Sequence, residues 1–152
     1  MGCKKQRQLI RMISLVLAFA LVLPINVCAA VTEDVMPCAS YYLDSYNCYV
    51  CPMGSGRIET WFTVAGTGYM DDIGALTIRL YESTNNVDFY WVDTFRHTDY
   101  PGMLAHNDYF HAYGVSYQGV AGCYYKAYVT IWAGKDGGGD TRYMWTLAKL
   151  AT

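Results

Sequence analysis

From Arg57 to its C-terminus the chain alternates apolar and polar residues, and that period of two points to β-sheet. Ile58, Thr60, Phe62 and Val64 fall on one face of an extended segment, and Glu59, Trp61, Thr63 and Ala65 on the other. Near the end of the chain Tyr125, Ala127, Val129, Ile131 and Ala133 share a face apolar enough to be core. The opposite face there carries Tyr124, Lys126, Tyr128, Thr130 and Trp132, a mixture suited to a half-exposed surface. No segment after residue 30 sustains a helical period, which argues against a helix-rich fold.

The remaining strands follow from the same pattern. A short strand is expected around Tyr46 to Val50, inside an irregular stretch rich in Pro, Gly and Cys. Gly66-Thr67-Gly68 separates the Arg57 strand from a second one over Ala75 to Glu82. Turn residues Ser83 to Asn86 precede a strand over Phe89 to Phe95, and a polar loop runs from Arg96 to Asn107. Strands near Tyr109 to Tyr117 and Cys123 to Ala133 come next. The glycine-rich Asp136 to Asp140 reads as a turn, and Tyr143 to Leu150 as the closing strand. About six or seven short strands with Gly, Asn and Pro between them predict an all-β fold, an antiparallel β-sandwich that is Ig-like or related. The chain has 152 residues, 53% of them hydrophobic, enough for a single packed core. One domain is expected over residues 31–152.

The first thirty residues have a different character. Lys4, Lys5, Arg7 and Arg11 accompany an apolar run from Leu9 to Leu23, then Pro24, Asn26 and the small-residue stretch Val27-Cys28-Ala29-Ala30. This order is that of a secretory signal over residues 1–30, cleaved after Ala29 or Ala30. The run is too short for a membrane anchor, so no span is expected once it is removed. The expected location is extracellular. Beyond residue 30, thirteen acids face seven Lys and Arg, a net charge of about −6. Such a balance does not favour nucleic acid as a partner.

Export also sets the reading of the cysteines. Cys38, Cys48, Cys51 and Cys123 remain after cleavage, and four cysteines in an exported domain predict two disulfides with three possible pairings. Cys48-Tyr49-Val50-Cys51 has the spacing of redox and zinc sites. It lacks the strand-then-helix setting of the former and the second C-x-x-C pair of the latter.

Other candidate chemistry is sparse. His97, Asp99, His106, Asp108 and His111 fall within fifteen residues, and imidazole with carboxylate is a ligand set for zinc. No helix-borne spacing joins them, so a polar loop explains the group and no metal or other cofactor is expected. If a metal were held, His106, Asp108 and His111 would hold it, and a metal-dependent hydrolase would follow. Asp136 to Asp140 lacks the further ligands of a calcium loop. No nucleophile elbow or phosphate-binding glycine loop occurs.

Aromatic content is the most informative feature for function. Of 24 aromatic residues, fifteen Tyr among them, all but Phe19 lie beyond residue 30. If the strand carrying Tyr109, His111, Tyr113 and Tyr117 paired with the one carrying Tyr124, Tyr128 and Trp132, the rings would form a platform of apolar faces and polar tips. Such surfaces bind sugars by stacking or anchor protein interfaces.

The stretch from Gly119 through Cys123-Tyr124-Tyr125-Lys126-Ala127-Tyr128-Val129-Thr130 to Arg142 resembles small secreted domains of Gram-positive bacteria, which are predicted β-sandwiches of unknown function. The resemblance implies export and an Ig-like sandwich, and it supplies no catalytic residue. The expectation is therefore a secreted, non-enzymatic binding module for a cell-envelope glycan or surface protein. Its ligand-binding residues would be Tyr113, Tyr124, Lys126, Tyr128 and Trp132. The alternative is a small secreted toxin or bacteriocin-like effector.

Overall fold

The computed structural model describes residues 40–152. The expected signal over residues 1–30 and Cys38 lie outside them. Seven strands occur in the order β1 (Leu43–Gly54), β2 (Arg57–Ser83), β3 (Tyr90–Arg96), β4 (Leu104–Gln118), β5 (Tyr124–Lys135), β6 (Gly138–Trp145) and β7 (Lys149–Leu150). All pairings are antiparallel, in one sheet that curls into a half-barrel. A single 3-10 turn at Pro101–Met103 precedes β4.

The long strand β2 organises the sheet. Along one edge it pairs first with β1, from Arg57 to Gly66, and then with β5, from Asp72 to Ser83. Along the other edge it pairs with β4 and then with β3. The sequence predicts two strands here with a turn at Gly66-Thr67-Gly68, and the fold has one. Ala65 faces Phe110 and Met70 faces Asp108, so the glycines form a bulge in which β2 bends without reversing. Continuous pairing with β4 on both sides of the bulge prevents a hairpin. The bend is also tied to the residues just before β1: the Thr67 amide donates to the Tyr42 carbonyl at 3.0 Å, and its hydroxyl to the Tyr41 carbonyl at 2.7 Å.

The core follows the alternation. Ile58, Phe62 and Val64 of β2 meet Cys48 and Val50 of β1 and Tyr125, Ala127, Val129 and Ile131 of β5, all buried. Gly74 lies where β2 turns past the 3-10 segment, with φ +154°, and a β-carbon there would collide with the Met103 carbonyl. Turn chemistry sets two hairpins. Ser55-Gly56 joins β1 to β2 and Asp136-Gly137 joins β5 to β6, each with positive φ at both residues, as a type I′ turn requires. The turn expected over Asp136 to Asp140 therefore shrinks to two residues, and Gly138 onward belongs to β6.

The expected framework of two disulfides is corrected. No disulfide joins two described cysteines, and Cys48 and Cys123 are both buried. Cys48 points into the core beside Val50, and Cys123, which immediately precedes β5, belongs to the same buried cluster.

Candidate functional site

The face of β5 turned away from the core carries half-buried rings and adjoins exposed ones on β3 and β6. Register places it on a grid. In one row Thr94 of β3, Arg79 of β2, Tyr128 of β5 and Trp145 of β6 lie side by side. The row below holds Arg96, Thr77, Thr130 and Tyr143, and the row above holds Trp91, Tyr81 and Lys126. Inward neighbours Ile78, Leu80, Ala127 and Val129 are wholly buried, so alternation sends these grid residues outward. Trp91 and Tyr143 are each 61% exposed and Trp145 is 48% exposed, far above what core packing would leave.

The rings form one cluster. Tyr128 and Trp145 lie 4.8 Å apart between centroids, Tyr81 and Trp145 5.1 Å, and Tyr128 stacks on Tyr143 at 5.9 Å with planes 6° apart. Lys126 Nζ sits 4.0 Å from the Phe89 centroid and 4.8 Å from that of Trp145. Two aromatic faces thus hold the ammonium by cation–π attraction. Polar groups brace the grid: Thr77 donates to Thr130 across the strands at 2.9 Å, and the Trp91 indole N–H donates to Thr94 at 2.9 Å.

The expected ligand residues divide. Lys126 and Tyr128 belong to the cluster. Tyr124 shares their face two residues away, beside the Ser83 end of β2. Trp132 also shares that face but lies over Gly134 and Gly139, covering the hairpin. Tyr113 does not join them. Strands β4 and β5 do not pair with each other, because β2 runs between them. Tyr113 lies opposite the buried Phe62, packs on the core and stacks with His111 at 6.4 Å, on the inner side of the sheet. Tyr117 is inward too, 6.1 Å from Tyr125, and burial raises its pKa, aided by Glu82 and Asp93.

The candidate metal ligands also part. His106 Nδ1 lies 2.5 Å from Asp72, Asp108 accepts from the Tyr109 and Phe110 amides, and His111 Nε2 contacts the Gly102 carbonyl at 2.8 Å. Among the described residues no three potential ligands converge on a point.

Sequence reasoning missed Arg79, Tyr81, Phe89, Trp91, Tyr143 and Trp145. Two of these were within reach. An Asp-Gly hairpin fixes register by counting outward from the turn, which sets Tyr143 against Thr130 and Trp145 against Tyr128. The others depend on β2 lying next to β5, a non-local pairing that no spacing encodes. No protein-family model, no curated protein and no solved structure matches the chain.

Proposed function

We propose that this chain is a secreted, non-enzymatic binding module that holds a cell-envelope glycan on the outer face of β2, β5 and β6. One observation carries the reading: half-buried Tyr81 and Tyr128 and exposed Tyr143 and Trp145 form a single ring cluster on the outer face of the sheet. Sugars present apolar C–H faces that stack on such rings, while the tyrosine hydroxyls and the threonines can meet sugar hydroxyls. The three grid rows carry no carboxylate and no imidazole, so this face is equipped for holding a ligand rather than for acid–base chemistry. The export expected from residues 1–30, and the resemblance to secreted Gram-positive domains, direct the target to the cell envelope. In this reading the bent β2 lets one sheet act as the two layers of an Ig-like sandwich.

Retention of purified protein on isolated cell-wall polysaccharide tests the proposal. Wild-type protein should be retained, and Trp145→Ala and Tyr143→Ala should be released while melting as wild type does. Equal retention of variants and wild type, or no retention of either, would remove it.

A further inference from the structure

Charge on the outer face is as ordered as its rings. Arg96 lies in the Thr77 row, Arg79 in the next and Lys126 in the one after, each on an adjacent strand. The three cations therefore run diagonally across β3, β2 and β5, with successive β-carbons about 7 to 8 Å apart. These are three of the seven Lys and Arg beyond residue 30, in a segment whose thirteen acids make it strongly negative. Even so, the three rows hold no acid. The ion-pair contacts among the described residues are His106–Asp72 and Arg142–Asp140, neither of them on this diagonal. Like charges in a line repel one another, and a ligand with matching anions would relieve that repulsion.

We propose that the glycan is a carboxylated polysaccharide, a uronic-acid chain whose carboxylates meet Arg96, Arg79 and Lys126 in succession. This inference rests on the glycan-binding reading above. It selects carboxylate on the sugar because two of the three cations, Arg79 and Lys126, have a ring as an immediate neighbour in the grid. Arg79 is flanked by Tyr128, with Trp145 next in the row, and Lys126 adjoins Tyr81. One ligand unit must therefore offer a stacking face and an anion together, as a uronate ring does. A chain charged only at the linkages between its rings would not. Guanidinium groups pair with carboxylates in a bidentate, directional way, which would set the register of the chain on the sheet. The net negative charge elsewhere disfavours a nucleic-acid strand, whose charge density is higher.

Binding to polygalacturonate and to the same polymer fully methyl-esterified separates charge from ring stacking, and a single-stranded oligonucleotide serves as a third probe. Wild-type protein should prefer the acid form, and raising salt to about 0.5 M should abolish the preference. Arg79→Gln and Arg96→Gln should each weaken binding to the acid form about fivefold and leave the ester unchanged. Trp145→Ala should weaken both. Equal binding of acid and ester, with Trp145→Ala still damaging, would overturn the carboxylate inference and leave the glycan reading standing. So would retention on cell-wall polysaccharide with no binding to polygalacturonate. Tighter binding to the oligonucleotide would overturn it in favour of nucleic acid. Failure on cell wall and on both polymers would overturn the underlying reading as well.

Discussion

Tyr125, wholly buried in β5, donates its phenolic hydrogen to the carboxylate of Glu82 on β2, forty-three residues earlier. The same hydroxyl accepts from the Val120 amide at 2.8 Å, so one oxygen joins two strands to the loop that leads into β5. Packing around it is close, because a β-carbon on Gly119 would strike the Tyr125 ring. Tyr125→Phe should therefore cost about 1.5 to 3 kcal/mol, the range for a hydrogen bond to a charged group. Urea unfolding measures this, and an unchanged midpoint would show the network to be dispensable.

The same bond gives a pH dependence. Burial, reinforced by the hydrogen bond to Glu82, raises the Tyr125 pKa well above its ordinary value of 10.0. The folded state thus holds this proton more tightly than the unfolded chain does. Its contribution to stability is complete below about pH 10 and is lost as pH rises from there through the folded value. Thermal melts between pH 8 and pH 11 should show stability declining over the upper part, with a shallower decline in Tyr125→Phe. Parallel curves for the two proteins would disprove it.

Gly74 should tolerate no side chain. Its φ of +154° disfavours L residues, and the Met103 carbonyl occupies the place of a β-carbon. Gly74→Ala is expected to cost about 2 to 4 kcal/mol, since strain and collision act together. A melting temperature within a degree or two of wild type would contradict this.

Trp132 is expected to act on stability and not on ligand binding. Its ring covers Gly134 and Gly139 at the β5–β6 hairpin, away from the Tyr128–Trp145 cluster. Trp132→Ala should lower stability by about 2 kcal/mol, below the cost for a fully buried ring, because the residue is only half buried. Retention on cell-wall polysaccharide, measured at a temperature where the variant is folded, should be unchanged. Lost retention would return Trp132 to the binding face.

The cysteines give a prediction for mass spectrometry and thiol titration. Cys51 is disulfide-bonded, with neither Cys48 nor Cys123 as its partner, so Cys38 is expected to complete the bridge. The mature, oxidised protein should be lighter than its fully reduced form by two hydrogens and not four. Cys48 and Cys123 should react with a thiol reagent only after unfolding, since both are buried. A mass lower by four hydrogens would restore the two-bridge framework.

Legibility of the fold tracks the range of the interactions involved. The face assignment of β5 was readable in full: Tyr125, Ala127, Val129, Ile131 and Ala133 are all buried, and Tyr124 to Trp132 at alternate positions are only partly so. The fusion of two expected strands into β2 was not, because a Gly-Thr-Gly stretch serves equally as a turn or a bulge. The neighbouring strand decides between them. The site shows the same division. The outward placement of Lys126 and Tyr128 follows from one strand's alternation, while that of Tyr113 depends on which strand β4 pairs with.

By itself, then, the sequence determined that the chain beyond residue 30 is rich in β-strand, which side of β5 faces the core, and that the chain turns in the Asp136 to Asp140 stretch. These depend on side-chain period and on backbone φ, properties local to a few residues. The tertiary structure alone decided that β2 lies between β4 and β5. That placement splits Tyr113 from Tyr128, and the pairing of β2 with both β3 and β5 lines up Arg96, Arg79 and Lys126. Such relations are fixed by hydrogen-bonded register between strands distant in sequence and by the burial of one common core, so no local pattern carries them.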